Sequence, residues 1–176
     1  MIALKFLRAG RIAPFSEVRW PEAGTWLHAV GDPVGVCRTA VHACTAADLP
    51  LWLGDELWRV ELRGRVRAGH GKLAAPAGRL VERVAAWDAD AAAAYGDACA
   101  DRAVALAADG DEIADTLADD ARRCARRARR PDLSAPTMAA GAAMCAARVR
   151  GLAEPGGVAA ERAWQAAWLG ERLGLR

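Results

Sequence analysis

A chain of 176 residues, 53% of them apolar, is long enough to bury a core without metal or disulfide support. Its 24 basic and 22 acidic residues leave a net charge of +2, which excludes a global electrostatic pull toward nucleic acid or an anionic membrane. Five cysteines, an odd number, argue against a disulfide framework; no apolar run is long enough to span a bilayer, and Lys5 and Arg8 break the first one, so the chain reads as cytoplasmic.

The expected organisation is a single domain over 1–176, with a β-rich half (1–87) and a helical half (88–176). The fold class is α+β: a small twisted antiparallel sheet packed by a C-terminal layer of about four helices. Strands are expected at Ile2–Leu7, Thr25–Val30, Val36–Cys44, Leu57–Arg67 and Arg79–Ala85. Turn chemistry at Ala9-Gly10, Trp20–Gly24, Gly31-Asp32-Pro33 and Gly69-His70-Gly71 separates them. Leu57–Arg67 is the clearest. Trp58, Val60, Leu62 and Val66 alternate with Arg59, Glu61, Arg63, Arg65 and Arg67, so one face meets the core and the other meets water. Gly64 suits a bulge or bend in that row. Between the third and fourth strands, Thr45-Ala-Ala-Asp48 opens a short helix that Pro50 limits to about two turns, ending near Gly54.

In the second half, helices are expected from near Asp88 to Asp109, from Asp111 to Arg130, from Thr137 to Leu152, and over a last segment carrying Glu161, Trp164, Gln165, Trp168 and Glu171. On the second helix, Ile113, Leu117, Ala121, Cys124, Ala125 and Ala128 fall on one face at helical spacing. Acids lead and arginines trail, as the helix dipole favours, and Asp119 precedes Arg122 and Arg123 by three and four residues. The arginine run Arg122–Arg130 lacks interleaved aromatics and is nearly neutralised by upstream acids, so it reads as a solvated face and not as a nucleic-acid surface.

The reactive side chains concentrate in Cys37–Asp48. His42 and Cys44 are two residues apart and share a strand face. Cys44 then precedes a helix N-terminus, where a thiolate is favoured, and His42 beside it is a candidate acid, base or imidazolium partner. The competing reading is a buried cysteine packing as a small hydrophobe beside a core histidine. Zinc held by Cys37, His42 and Cys44, with a fourth ligand from His28, His70 or Cys99, is a weaker alternative because the spacing matches no usual zinc motif. The expectation is no metal and no cofactor.

Trp26 and His28 share a face of the second strand; with Trp20, Trp52 and Trp58 they make the first half rich in indoles, which line a ligand pocket or fill a small core. Trp164 and Trp168 lie one turn apart with Glu161 and Glu171 on the same side, opposite Leu169 and Leu173. A terminal helix apolar on two sides is either fully buried or shared with a ligand or a second copy, which makes it the candidate surface for a homodimer. A carboxylate beside an indole is also a candidate general acid.

Lys5-Phe-Leu, Pro14-Phe15, Trp20-Pro21, Val41-His42-Ala43-Cys44, Asp48-Leu-Pro50, Trp52-Leu53 and Asp55–Leu62 together resemble a group of actinobacterial proteins with no assigned activity. The likeness covers the N-terminal half. The His-Ala-Cys core is also similar to a Gly-Phe-His-Ala-Cys segment of phage-associated domains, although Ala40-Val41 stands here in place of Gly-Phe. The resemblance implies no activity, but it puts weight on His42 and Cys44. A strand–loop–helix–strand order near such a motif faintly resembles ADP-ribosyltransferase folds, with no complete NAD-binding triad to place.

The leading functional expectation is a cofactor-independent enzyme acting by acid–base chemistry on a small, largely apolar organic molecule, of the isomerase, cyclase, lyase or hydrolase type. His42 would move protons, with Cys44 as neighbour or nucleophile, His28 and Glu61 as secondary candidates, and Trp26, Trp52, Trp58, Trp164 and Trp168 as substrate-binding residues. The pocket is expected between sheet and helices. Glu61 drops out if its strand face is solvated. The second reading is a non-catalytic binding or dimerising module, and the third an ADP-ribosyltransferase-like NAD enzyme.

Overall fold

The structure, a computed structural model, describes residues 1–30, 40–69, 71–107 and 111–175. Two compact units divide the chain, Met1–Ala85 and Ala86–Arg176. The first holds seven strands and the second four helices among the described residues, so the fold is α+β.

In the first unit, β1 (Ile2–Leu7), β2 (Leu27–His28), β4 (Glu56–Arg63) and β7 (Ala77–Arg83) form one antiparallel sheet in the order β1-β4-β7-β2. A second antiparallel sheet runs β3-β6-β5, from β3 (Val41–Ala43), β5 (Arg67–Gly69) and β6 (Lys72–Ala75). Reciprocal hydrogen bonds between Leu4 and Cys44, 2.9 and 2.7 Å long, tie β1 to the end of β3 and join the two sheets. The second sheet was not foreseen as such. Lys72–Ala75 carries no β-branched residue and no alternation, so only its partners make it a strand.

The period-two reading of β4 holds where it matters. Val60 and Leu62 enter the core with Ala3, Leu7, Trp20, Val41 and Leu80, while Glu61 and Arg63 face the solvated side. Burying each such large side chain stabilises the fold by roughly 1.5–3 kcal/mol. The strand stops at Arg63 and does not run on to Arg67. Gly64 turns the chain at φ +86°, a conformation that favours glycine, and a Cβ there would sit 2.5 Å from Pro76 Cγ. The register irregularity lies instead between Arg59 and Val60, where β7 carries an extra residue.

The segment after β3 is a short helix of about two turns, as expected, but of the 3-10 kind, Ala46–Leu51, and it ends three residues before Gly54. Thr45 Oγ1 donates to Asp48 Oδ2 at 2.6 Å instead of accepting a backbone N–H, and Pro50 inside the segment removes a donor.

The second unit packs α1 (Ala89–Leu106), α2 (Glu112–Ala128), α3 (Ala135–Ala153) and α4 (Gly157–Arg172). Asp88, Asp111 and Ser134 cap the first three by accepting backbone N–H bonds. The helix α3 touches the other three. Its buried stripe is small: Ala135, Ala139, Ala142, Ala143, Ala146 and Ala147, with Cys145 and Val149. Small side chains let helix backbones approach closely, and Gly96 on α1 lies against Ala139. The buried line of α2 is Ala114, Ala118, Ala121, Ala125 and Ala128. The expected inclusion of Ile113 is wrong, because it is 61% exposed. In an alanine-packed bundle the seam follows the smallest residues, and the larger one is left outside.

All six arginines from Arg122 to Arg130 are exposed. Arg122 pairs with Asp119, Arg123 with Asp120, Arg129 with Asp97 and Arg130 with Asp132. No helix among the described residues is long and apolar enough to cross a membrane.

Candidate functional site

β1 is buried along most of its length, yet it places a lysine at its centre: Lys5, between buried Leu4 and Phe6, lies directly opposite Trp58 of β4. Lys5 Nζ donates to the backbone oxygen of His42 at 2.8 Å and lies 5.3 Å from the centre of the Trp20 ring. Burial is the main cause that pulls its pKa down to about 8; the nearby Lys72 ammonium lowers it further, and Cys44 opposes.

Beside Lys5 opens a cavity of about 300 Å³, walled by β1, the end of β3, the 13–16 loop, Trp52 and Lys72 of β6. His42, Cys44, Phe15 and Trp52 line it. Lys72 Nζ stands 4.5 Å from the Trp52 ring centre and 5.9 Å from that of Phe15. Those two rings meet edge to face at 6.2 Å, and Phe15 is 80% exposed. Trp52 is fixed by donating its indole N–H to Gly71 O at 2.8 Å. A second hollow of about 280 Å³ adjoins on the side of Trp20, Leu27 and His28, and shares Lys5 and His42 with the first. Every residue lining either hollow comes from the β unit.

His42 and Cys44, singled out by sequence, therefore line one hollow, His42 half-buried and Cys44 buried. The thiolate expectation is overturned. Burial pushes the Cys44 thiol up to about 12, Asp48 adds to the rise, and Lys5 only partly offsets it. A short 3-10 helix also leaves little aligned dipole to favour the anion. His28 lies on β2, exposed, at the rim of the second hollow. Glu61 is held by Arg79 at 2.7 Å on the water-facing side of β4, away from both hollows, the condition under which it was expected to drop out. Trp26 is flanked by the guanidinium groups of Arg63 and Arg79, and Trp58 packs on the core with its N–H on Glu56. Neither lines either of these two hollows.

Trp164 and Trp168 are engaged inside the helical unit. Arg102 stacks over Trp164 at 4.2 Å, and Tyr95 meets Trp168 at 5.4 Å. Glu161, fully buried, accepts from Arg102 Nε and Nη2 at 2.8–3.1 Å, with Arg150 3.6 Å away. A buried carboxylate forked by arginine is a structural acceptor. Gln165, also fully buried, donates to Ala143 O at 2.9 Å. The inward face of α4 is thus Glu161, Gln165, Leu169 and Leu173.

Cys37 and His70, named as zinc ligands in the weaker alternative, lie outside the described residues. Among the described residues, no three His, Cys, Asp or Glu side chains gather as a metal site.

No family model matches this chain, and no curated protein or solved structure similar to it was found. The site therefore rests on its own geometry.

That geometry includes residues the sequence reading passed over as functional: Lys5, Lys72 and Phe15. A signal for the first two was present. The chain has 24 basic residues, and only these two are lysine. Chemically, the cavity offers two ammonium groups, an imidazole and an aromatic rim, a combination suited to an organic anion with an apolar body.

Proposed function

We propose that the β unit is the working part of a small-molecule enzyme that uses acid–base chemistry on a largely apolar organic anion, without a redox cofactor. The observation that carries this reading is the shared wall of one cavity by Lys5, His42, Lys72, Phe15 and Trp52. The rings take the apolar body, the lysines hold the negative group, and His42 moves the proton. A volume of about 300 Å³ suits a molecule of roughly a dozen heavy atoms.

Trp52 reports on occupancy. Titration with benzoate, cinnamate and 3-phenylpropionate, followed by tryptophan fluorescence and thermal unfolding, should show saturable quenching and a rise in Tm that the Trp52→Phe variant loses in its fluorescence arm. The neutral amides should bind at least tenfold more weakly. Equal affinity for acid and amide, or no binding by any of them, refutes the proposal. Turnover is then sought among hits bearing an acidic C–H or a leaving group, and His42→Gln should lower kcat by about 10²-fold or more.

A non-catalytic binding module is the second reading. The buried, unionised Cys44 favours it, because no ready sulfur nucleophile faces the ligand. Tight binding of the same anions with no turnover, unchanged in His42→Gln, would select it.

A further inference from the structure

The sequence carries 24 basic residues and spends lysine twice, at Lys5 and Lys72; the other 22 are arginine. On a solvated surface the two cations serve alike. They differ where a proton must leave, because a guanidinium stays charged while an ammonium yields a nucleophilic amine. Both lysines of this chain line the same cavity.

Their surroundings differ. Lys72 sits toward the rim, its ammonium over Trp52 and within reach of exposed Phe15. Lys5 sits deeper, on a strand with buried neighbours, over Trp20 and against the His42 carbonyl. Lys5 also lines both hollows.

From this placement we propose that Lys5 is the reactive amine of the site and forms a covalent imine with a small carbonyl acid, a 2-oxo acid with an apolar body, whose carboxylate is held by Lys72. This rests on the reading that the cavity binds an organic anion. It adds the carbonyl and the covalent bond.

The step balances without an oxidant or reductant. The Lys5 nitrogen lone pair attacks the carbonyl carbon, and the C=O π pair moves to oxygen, which takes a proton. The nitrogen loses a proton, the carbinolamine C–O bond breaks with a second proton added to oxygen, and water leaves. His42, which lines the same cavity, would carry these protons. The resulting protonated imine is an electron sink for loss of the C–H proton on the carbon next to the imine carbon, which gives an enamine and is acid–base chemistry of the class already proposed. Burial supplies the free amine. With a pKa of about 8, roughly a tenth of Lys5 is unprotonated at pH 7, against a few parts in ten thousand for an ordinary lysine. The groups facing it are Lys72 from β6, Cys44 and His42 from β3 and its end, and Trp20, with Asp48 beyond Cys44.

The chain's few amines make the test direct, since Lys5, Lys72 and the α-amine of Met1 are the only candidates. The full chain is incubated with phenylpyruvate and sodium cyanoborohydride, which delivers hydride to any imine, and the adduct is located by peptide mass spectrometry. The expected result is one adduct at Lys5, formed at least tenfold faster than at Lys72 or Met1, with a rate that rises with pH to a midpoint near 8. Excess 3-phenylpropionate, with the same body and carboxylate but no ketone, should protect. The Lys5→Arg variant should lose the adduct, and Lys72→Arg should keep it. The wild-type selectivity and pH profile stand even if Lys5→Arg fails to fold. Labelling that is even across the amines or centred on Lys72 or Met1 overturns the proposal, and so does an absent adduct. If 3-phenylpropionate binds but Lys5 forms no adduct, the imine falls and the anion site survives. If neither is seen, both fall.

Discussion

Replacing Lys5 by methionine should make the protein more stable at neutral pH. The native state holds this ammonium in a place that lowers its pKa from 10.5 to about 8, chiefly through burial. The unfolded chain therefore binds more protons than the folded one between those values, and the contribution of Lys5 to stability is full above 10.5, falls as pH drops toward 8 and is lost below it. Relative to a neutral side chain, the ammonium costs about 3 kcal/mol at pH 6.5. Methionine has similar length and no charge, but it forfeits the bond from Lys5 Nζ to His42 O, worth about 1 kcal/mol. The net expectation is a gain of about 2 kcal/mol at pH 6.5 that shrinks to less than about 0.5 kcal/mol by pH 9.5. Urea unfolding followed by circular dichroism at both pH values measures it, with the parent chain as reference so that other titrating groups largely cancel. A variant less stable than the parent at pH 6.5, or a gap independent of pH, would refute the reasoning. The stabilised variant should also form no imine with phenylpyruvate, the trade of stability for activity expected where a titratable amine is kept for use.

Cys44 should resist alkylation in the native state. A thiol pushed from 9.0 to about 12 has roughly a thousandfold less thiolate at neutral pH, so its reaction with iodoacetamide, read by peptide mass spectrometry, should be at least a hundredfold slower than after unfolding. In the helical unit, Arg102→Met removes the two-pronged partner of the fully buried Glu161, leaving Arg150 3.6 Å away, and should lower stability by about 3–5 kcal/mol. Adding Glu161→Leu to that variant should restore most of the loss, and unfolding monitored at 222 nm reports both. Two glycines of α4 should separate cleanly in the same assay. A Cβ at Gly157 would stand 2.1 Å from Arg150 O, so Gly157→Ala should destabilise by at least about 2 kcal/mol. A Cβ at Gly170 meets nothing nearer than Leu175 O at 3.8 Å, so Gly170→Ala should stabilise by about 0.5–1 kcal/mol.

What was legible in the sequence follows the strength of the local signal. β1, β4 and all four helices stand close to where alternation, helical spacing and capping residues put them, because those signals are properties of single segments. The second sheet was not legible. β5 and β6 are three and four residues long, and Lys72–Ala75 becomes a strand only through Val41–Ala43 and Arg67–Gly69 on either side. The face of α2 was misjudged for a related reason: a helix packed through alanine is oriented by close backbone approach, which a hydrophobicity pattern ranks below a single isoleucine.

The same contrast explains the site. His42 and Cys44 were visible because two reactive side chains two residues apart mark themselves, and the Leu4–Cys44 bridge brings that pair to β1. Lys5 was given no functional role because one charge in an apolar strand reads as an interruption until the fold shows what surrounds it. Its partner Lys72 is 67 residues away, on a strand the local pattern did not reveal, so the meeting of the two ammonium groups is a product of the β3–β6 pairing. The rarity of lysine was in the composition all along. It acquires meaning from the cavity, since a chain that meets its surface needs with arginine and places both lysines against one hollow uses the one property that separates the two, the ability to give up a proton.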